Sequence, residues 1–151
     1  MLAVAKPKVL VSACLLGRAC RFDGRDKKTP PLIEALEKGA VEAVPFCPEE
    51  AGGLGTPRPA ATLRGGGGHD VVEGRAQVIN EAGDDVTEAF LAGGRLAVEE
   101  ARAHRCEAAY LKERSPSCGC GQVHTDHGVA QGCGVTAALL QRAGIPTISV
   151  D

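Results

Sequence analysis

The run "KVLVSAC", residues 8–14, decides how this chain is read: a short, apolar, β-branched segment that suits a buried strand and ends on a cysteine. Working outward, "PPLIEALEKGA" follows, with Pro30 and Pro31 at a helix start, Leu32, Ile33 and Leu36 on one face, and Gly39 as a stop. "VEAVPFC" (Val41–Cys47) reads as a second strand, again ending on a cysteine. The 23 residues from Pro48 to Asp70 carry seven Gly and three Pro and read as a long functional or mobile loop.

Val71–Val72 and Ala76–Ile79 then read as paired extended segments, with a turn at Glu81–Asp84. Asp85 or Thr87 can cap a helix running to about His104, with Phe90, Ala97 and Ala101 on one face. Gly93–Gly94 either weakens that helix or lets it approach a neighbour closely. "AAYLKE" (Ala108–Glu113) is a third strand, "GVTAALLQRAG" (Gly134–Gly144) a helix, and "PTISV" (Pro146–Val150) a fourth strand. Strands separated by helices imply parallel β-α-β units with right-handed crossovers, hence an α/β fold with a mostly parallel sheet. At 151 residues the whole chain, 1–151, fits one domain.

Ligands in such folds sit beyond the carboxyl ends of the strands. Cys14 lies just past strand one, Cys47 ends strand two, and Cys118 follows strand three by five residues. Three distant segments therefore deliver one cysteine each to the same rim.

Composition narrows the partner. A net charge of −2 offers no broad attraction to nucleic acid or anionic membrane, and 3% aromatics makes a base-stacking platform improbable. A small molecule fits better. No stretch approaches the roughly 20 apolar residues of a membrane span, and the N-terminal run shows no cleavage pattern, so the protein is placed in the cytoplasm. Structural disulfides are rare there and the seven cysteines are odd in number, which favours metal, cluster or catalytic chemistry. None of the spacings is C-x2-C: the pairs are Cys14-x5-Cys20 and Cys118-x-Cys120, a poor match to a structural zinc site. Scattered thiolates suit an iron–sulfur cluster, and three ligands on a four-iron cluster leave one iron open as a Lewis acid. Cys106 and Cys133 read as packing residues, while Cys20 and Cys120 stay undecided.

The blocks "VSACLLGRACRFDG", "PFCPEEAGGLGTPRP", "DVTEAF" and "LKERSPSCG", in this order, resemble the thiouracil desulfurase family of bacteria. The resemblance extends from Val9 to about Val150. It implies a single Rossmann-like domain whose 4Fe-4S cluster is held by three cysteines, here Cys14, Cys47 and Cys118. It also implies removal of sulfur from thiouracil or a related thiolated pyrimidine without net redox change. Substrate sulfur binds the open iron and leaves as sulfide. Phe22 departs from the tyrosine common in the "CRYDG" block.

That chemistry asks for a general base and proton donors. Glu49, two residues after Cys47, is the best-placed carboxylate, with Glu50 as its solvated neighbour. Ser115 and Ser117 flank Pro116 just before Cys118 and are candidates for proton relay or for donating to a pyrimidine carbonyl. Ser12 and Asp23 are candidate substrate contacts; Asp23 can equally make a turn with Gly24. Arg58 can offset the anionic cluster or be a plain loop residue. His124, Asp126 and His127 read as a solvated loop, and the glycines at 65–68, lacking a phosphate-loop context, as flexibility. Two alternatives remain: another open-iron lyase or hydrolase, dehydratase-like, or a zinc-holding or redox-sensing binding module.

Overall fold

A computed structural model describes residues 6–39 and 41–151. Met1–Ala5, the start of the N-terminal run searched for a cleavage pattern, and Ala40 lie outside them. Eight strands and five α-helices follow in chain order among the described residues. The four strands expected from the apolar runs form one sheet: β1 (Lys8–Ser12), β2 (Glu42–Phe46), β5 (Ala109–Lys112) and β8 (Thr147–Val150), ordered β2-β1-β5-β8 with every neighbour parallel.

Both faces of this sheet are covered, which is why β1 reads as a continuous apolar run and not as an alternation. Leu10, Val44, Ala109 and Leu111 pack on one side against Ala97 and Ala101 of α4 (Thr87–Ala103) and Ala137, Ala138 and Leu140 of α5 (Val135–Arg142). Val9 and Val11 point the other way, onto Leu15 and onto Leu36 of α1 (Pro30–Lys38). Helix, parallel sheet and helix thus form the expected α/β layers.

A second sheet was not legible in the sequence. It is ordered β4-β3-β6-β7, from β3 (Ala61–Arg64), β4 (Gln77–Asn80), β6 (Gln122–Thr125) and β7 (Gly128–Gln131). Leu63, Val78 and Val123 bury its inner face against Phe90 and Leu91 of α4 and Val135 of α5. Burying a side chain the size of Phe90 contributes roughly 1.5–3 kcal/mol.

Four local readings change. Val71–Val72 are not extended: they close α3 (Gly68–Val72), whose start is fixed by the Gly67 N–H donating to the Asp70 carboxylate at 3.0 Å. The glycines are not there for flexibility alone, because a Cβ on Gly68 would lie 2.1 Å from the Gly134 carbonyl oxygen. The long loop holds β3 and a short helix, α2 (Pro48–Ala51). The segment around His124–His127 is a β6–β7 hairpin, with Thr125 paired to Gly128 across a two-residue turn.

Candidate active site

The order β2-β1-β5-β8 changes direction at β1, because the chain steps to β2 on one side and later to β5 on the other. Beyond the carboxyl ends of strands at such a switch point a crevice opens. The crevice here is a cavity of about 200 Å³. Cys14 enters it from a 3-10 turn (Ala13–Leu16) directly after β1. Cys47 enters from the N-cap of α2, where Pro48 starts the helix. Cys118 enters from the loop after β5. The rim placement expected from strand ends is therefore the one observed.

A fourth thiol joins them. Cys20 is 2% exposed, lines the same cavity, and accepts the Cys47 S–H at its carbonyl oxygen, 3.7 Å away. Its loop is tied back by Lys27 N–H to the Cys14 carbonyl at 2.8 Å and Arg58 N–H to the Phe22 carbonyl at 2.7 Å. Bonds of this kind between loops carry no periodic signal, so the sequence left Cys20 undecided.

Cys20, Cys47 and Cys118 hold their protons firmly. Hydrogen bonding with Cys14, then burial, pushes Cys20 up to about 11, with Cys47 partly opposing. Burial pushes Cys118 up to about 12, against a hydrogen bond from Ser12. Cys47 is also raised, first by its contact with Cys20 and then by burial. Buried thiols packed so closely release protons only when a cation takes their place.

Beside them stands a buried ion pair. Arg58 Nε donates to Glu49 Oε2 at 2.6 Å, and both side chains are largely buried. The same guanidinium donates to the Cys20 carbonyl at 3.0 Å, to Thr56 Oγ1 at 3.0 Å and to the Gly55 carbonyl at 3.2 Å. Burial pushes the Glu49 carboxyl up, while Arg58 pulls it back by charge and hydrogen bond; the net shift is upward.

The serines have backbone duties as well. Ser115 Oγ accepts the N–H groups of Ser117 at 3.1 Å and Cys118 at 3.0 Å, fixing the turn that carries the cysteine. Its own proton stays free to donate into the cavity. Ser117 is buried and shares a 2.7 Å bond with Thr136 Oγ1. Ser12 accepts the Lys112 N–H at 3.0 Å and faces Cys118. All three line the cavity.

Asp23 does not line it. Its carboxylate accepts the Arg25 N–H at 3.0 Å on an exposed turn, the geometry of the turn reading. The cavity instead gathers Arg21, Lys27, Lys112 and Arg114, a positive lining suited to an anionic cluster. His124, expected on a solvated loop, reaches the cavity from β6, whereas His127 stays exposed on the hairpin turn.

Residues 9–151 match the family model described as 2-thiouracil desulfurase. The chain belongs to the 2-thiouracil desulfurase family. It is similar to the uncharacterized protein YbbK of Bacillus subtilis (strain 168), 39% identical over 144 residues that span 93% of this chain and 94% of YbbK. Among solved structures it is similar to the [4Fe-4S]-dependent thiouracil desulfidase TudS, with a TM-score of 0.79 and 42% identity. That likeness covers 95% of this chain and 91% of the other. The donors in this desulfurase-family cavity fit an iron–sulfur cluster: soft thiols converge on one apolar-walled space, with cations around it to balance their charge.

Proposed function

We propose that this protein removes sulfur from thiouracil or a related thiolated pyrimidine, using a 4Fe-4S cluster and no net redox change. One observation carries the reading: cysteines from the segments that follow β1, β2 and β5 open onto a single cavity that also holds the buried Glu49–Arg58 pair.

Cys14, Cys47 and Cys118 hold the cluster as thiolates. When bound, the cluster supplies an open iron that acts as a Lewis acid on the substrate C–S bond. Glu49 takes a proton from water as its oxygen attacks the ring carbon bearing sulfur. The carbon–sulfur electron pair leaves with sulfur, so a carbonyl replaces the thiocarbonyl and sulfide is released. Arg58 fixes the Glu49 carboxylate and, by charge and hydrogen bond, opposes the upward push that burial gives it, favouring the ionised base. The Ser115 hydroxyl, whose oxygen is held by two backbone N–H groups, donates its proton to the substrate ring. Thr136 fixes the Ser117 hydroxyl beside Cys118, and Ser12 supports the Cys118 sulfur by a hydrogen bond.

All seven cysteines are free, which suits the reducing cytoplasm, and among the described residues no helix is long and apolar enough to cross a membrane. The test is an anaerobic iron and sulfide count on purified protein, followed by sulfide release from 2-thiouracil. A sample with a full cluster that yields neither uracil nor sulfide overturns the substrate assignment.

A further inference from the structure

Glu50 does not behave as the solvated neighbour of Glu49. One of its carboxylate oxygens and the sulfurs of Cys20 and Cys47 all lie within 4.8 Å of one another. Oε2 accepts the Thr56 hydroxyl at 2.6 Å. Oε1 is buried and lies 2.9 Å from the Arg18 guanidinium, yet accepts no well-directed hydrogen bond. A carboxylate with spare lone pairs therefore stands beside two thiols. Zinc–sulfur bonds of about 2.3 Å and zinc–oxygen bonds of about 2.0 Å in a tetrahedron put the donors about 3.5–3.8 Å apart, so they close on one ion by moving together about 1.3 Å at most.

We propose that Cys20, Cys47 and Glu50 form a mononuclear site for a soft divalent cation, zinc by preference, in the cluster-free protein. Two thiols and a carboxylate favour zinc over magnesium or calcium, and water completes the fourth corner. Binding exchanges two thiol protons for the ion: Zn2+, two Cys–SH and one Glu–COO− give a Zn(S)2(O) centre of charge −1 and two H+. Arg18 beside Glu50 and the Arg58 guanidinium on the Cys20 carbonyl face that charge. Cys47 belongs to both donor sets, so zinc and cluster exclude one another. This exclusion rests on the reading of Cys47 as a cluster ligand.

The experiment uses full-length protein stripped of metal and kept reduced under anaerobic conditions. Zinc is titrated against a chromophoric chelator, and cadmium reports sulfur ligation through its ultraviolet charge-transfer band. Wild type takes up one zinc per chain, and Cys20→Ala and Glu50→Gln each weaken it about tenfold or more. Cys106→Ala, outside the cavity, leaves the affinity unchanged. Zinc added first blocks cluster reconstitution in wild type but not in Cys20→Ala. Circular dichroism confirms that each variant is folded, and Glu50→Gln, which keeps side-chain shape, serves if Cys20→Ala is not. Absence of zinc binding in wild type overturns the site, as does undiminished affinity in Glu50→Gln or an equal loss in Cys106→Ala. A Cys47→Ala protein that loses zinc but assembles a full cluster overturns the exclusion and the cluster ligand set, while the zinc site stands.

Discussion

Arg58 Nε donates to Glu49 Oε2 at 2.6 Å from a guanidinium that also holds the Cys20 carbonyl at 3.0 Å. One side chain thereby links the candidate base to the loop of the fourth cysteine. The Glu49 carboxyl is already raised by burial, and Arg58 is the group holding it down. Replacing Arg58 by Gln removes that restraint and raises the carboxyl further. The base must be ionised to work, so the acid limb of kcat/KM against pH moves to higher pH, with iron content unchanged. Lysine restores charge without the fork and recovers part of the shift. A limb that stays in place in both variants removes Arg58 from this role.

Glu49→Gln keeps an acceptor for Arg58 and loses the base. Turnover of thiouracil falls by roughly 10²–10⁴. Iron and sulfide per chain stay at the wild-type count, because Glu49 is not among the cysteines assigned to the cluster. Full activity in a folded, cluster-loaded Glu49→Gln protein transfers the proton step to another group.

Cys14→Ala, Cys47→Ala and Cys118→Ala each lose the cluster and its absorbance under anaerobic reconstitution. Cys106→Ala retains both, since Cys106 packs at the edge of the core beyond α4 and outside the cavity. Retention of a full cluster by any one of the first three breaks the proposed set.

The part of this architecture legible in the sequence is the part dictated by burial on two faces. Val9–Val11 and Leu111 lie in strands covered above and below, so their runs are apolar throughout and end visibly at the cysteines. The second sheet lacks that signal. β7 is exposed along its whole length, β6 buries Val123 alone, and β3 buries Leu63 alone amid Gly and Pro. The site divides the same way. Cysteines that follow strand ends are positioned by chain topology, whereas Cys20, Arg114 and His124 arrive through loops and a hairpin whose placement depends on tertiary contacts.

Glu113, directly after β5, reads in the sequence as an ordinary strand-end carboxylate. Its Oε1 accepts the N–H groups of Cys120 at 3.0 Å and of Gly121 and Gln122 at 3.1 Å, closing the loop behind Cys118. Burial opposes its ionisation, but the N–H groups of Gln122 and Gly121 outweigh that, and the carboxyl is lowered. A carboxyl held below its unfolded value stabilises the fold above that value, about 4.3, and the contribution disappears as pH falls through the folded pKa. Glu113→Gln therefore costs about 1–3 kcal/mol at pH 7 in a urea melt. The difference from wild type shrinks on acidification below about pH 4. A difference independent of pH assigns the loss to packing instead.

The position of Glu49 rests on a glycine in another element. α2, which carries Glu49, lies against α4 so closely that a Cβ on Gly93 would sit 1.9 Å from the Pro48 carbonyl oxygen. The reverse contact is equally tight, with a Cβ on Gly52 falling 2.1 Å from the Ala89 carbonyl oxygen. Helix propensity alone makes Gly93→Ala favourable by about 1 kcal/mol. The clash is with backbone and no rotamer change relieves it, so overpacking of about 1–3 kcal/mol or more prevails and α2 moves outward. Glu49 moves with it, away from Arg58 and the ring carbon. The expected result is a lower melting temperature and a kcat reduced well beyond the loss of folded protein, with no chemical group removed from the cavity. Leu96→Ala, at a 40% exposed position on the same helix, changes neither. Wild-type kcat in Gly93→Ala means that α2 tolerates displacement and that Glu49 is positioned by Arg58 alone.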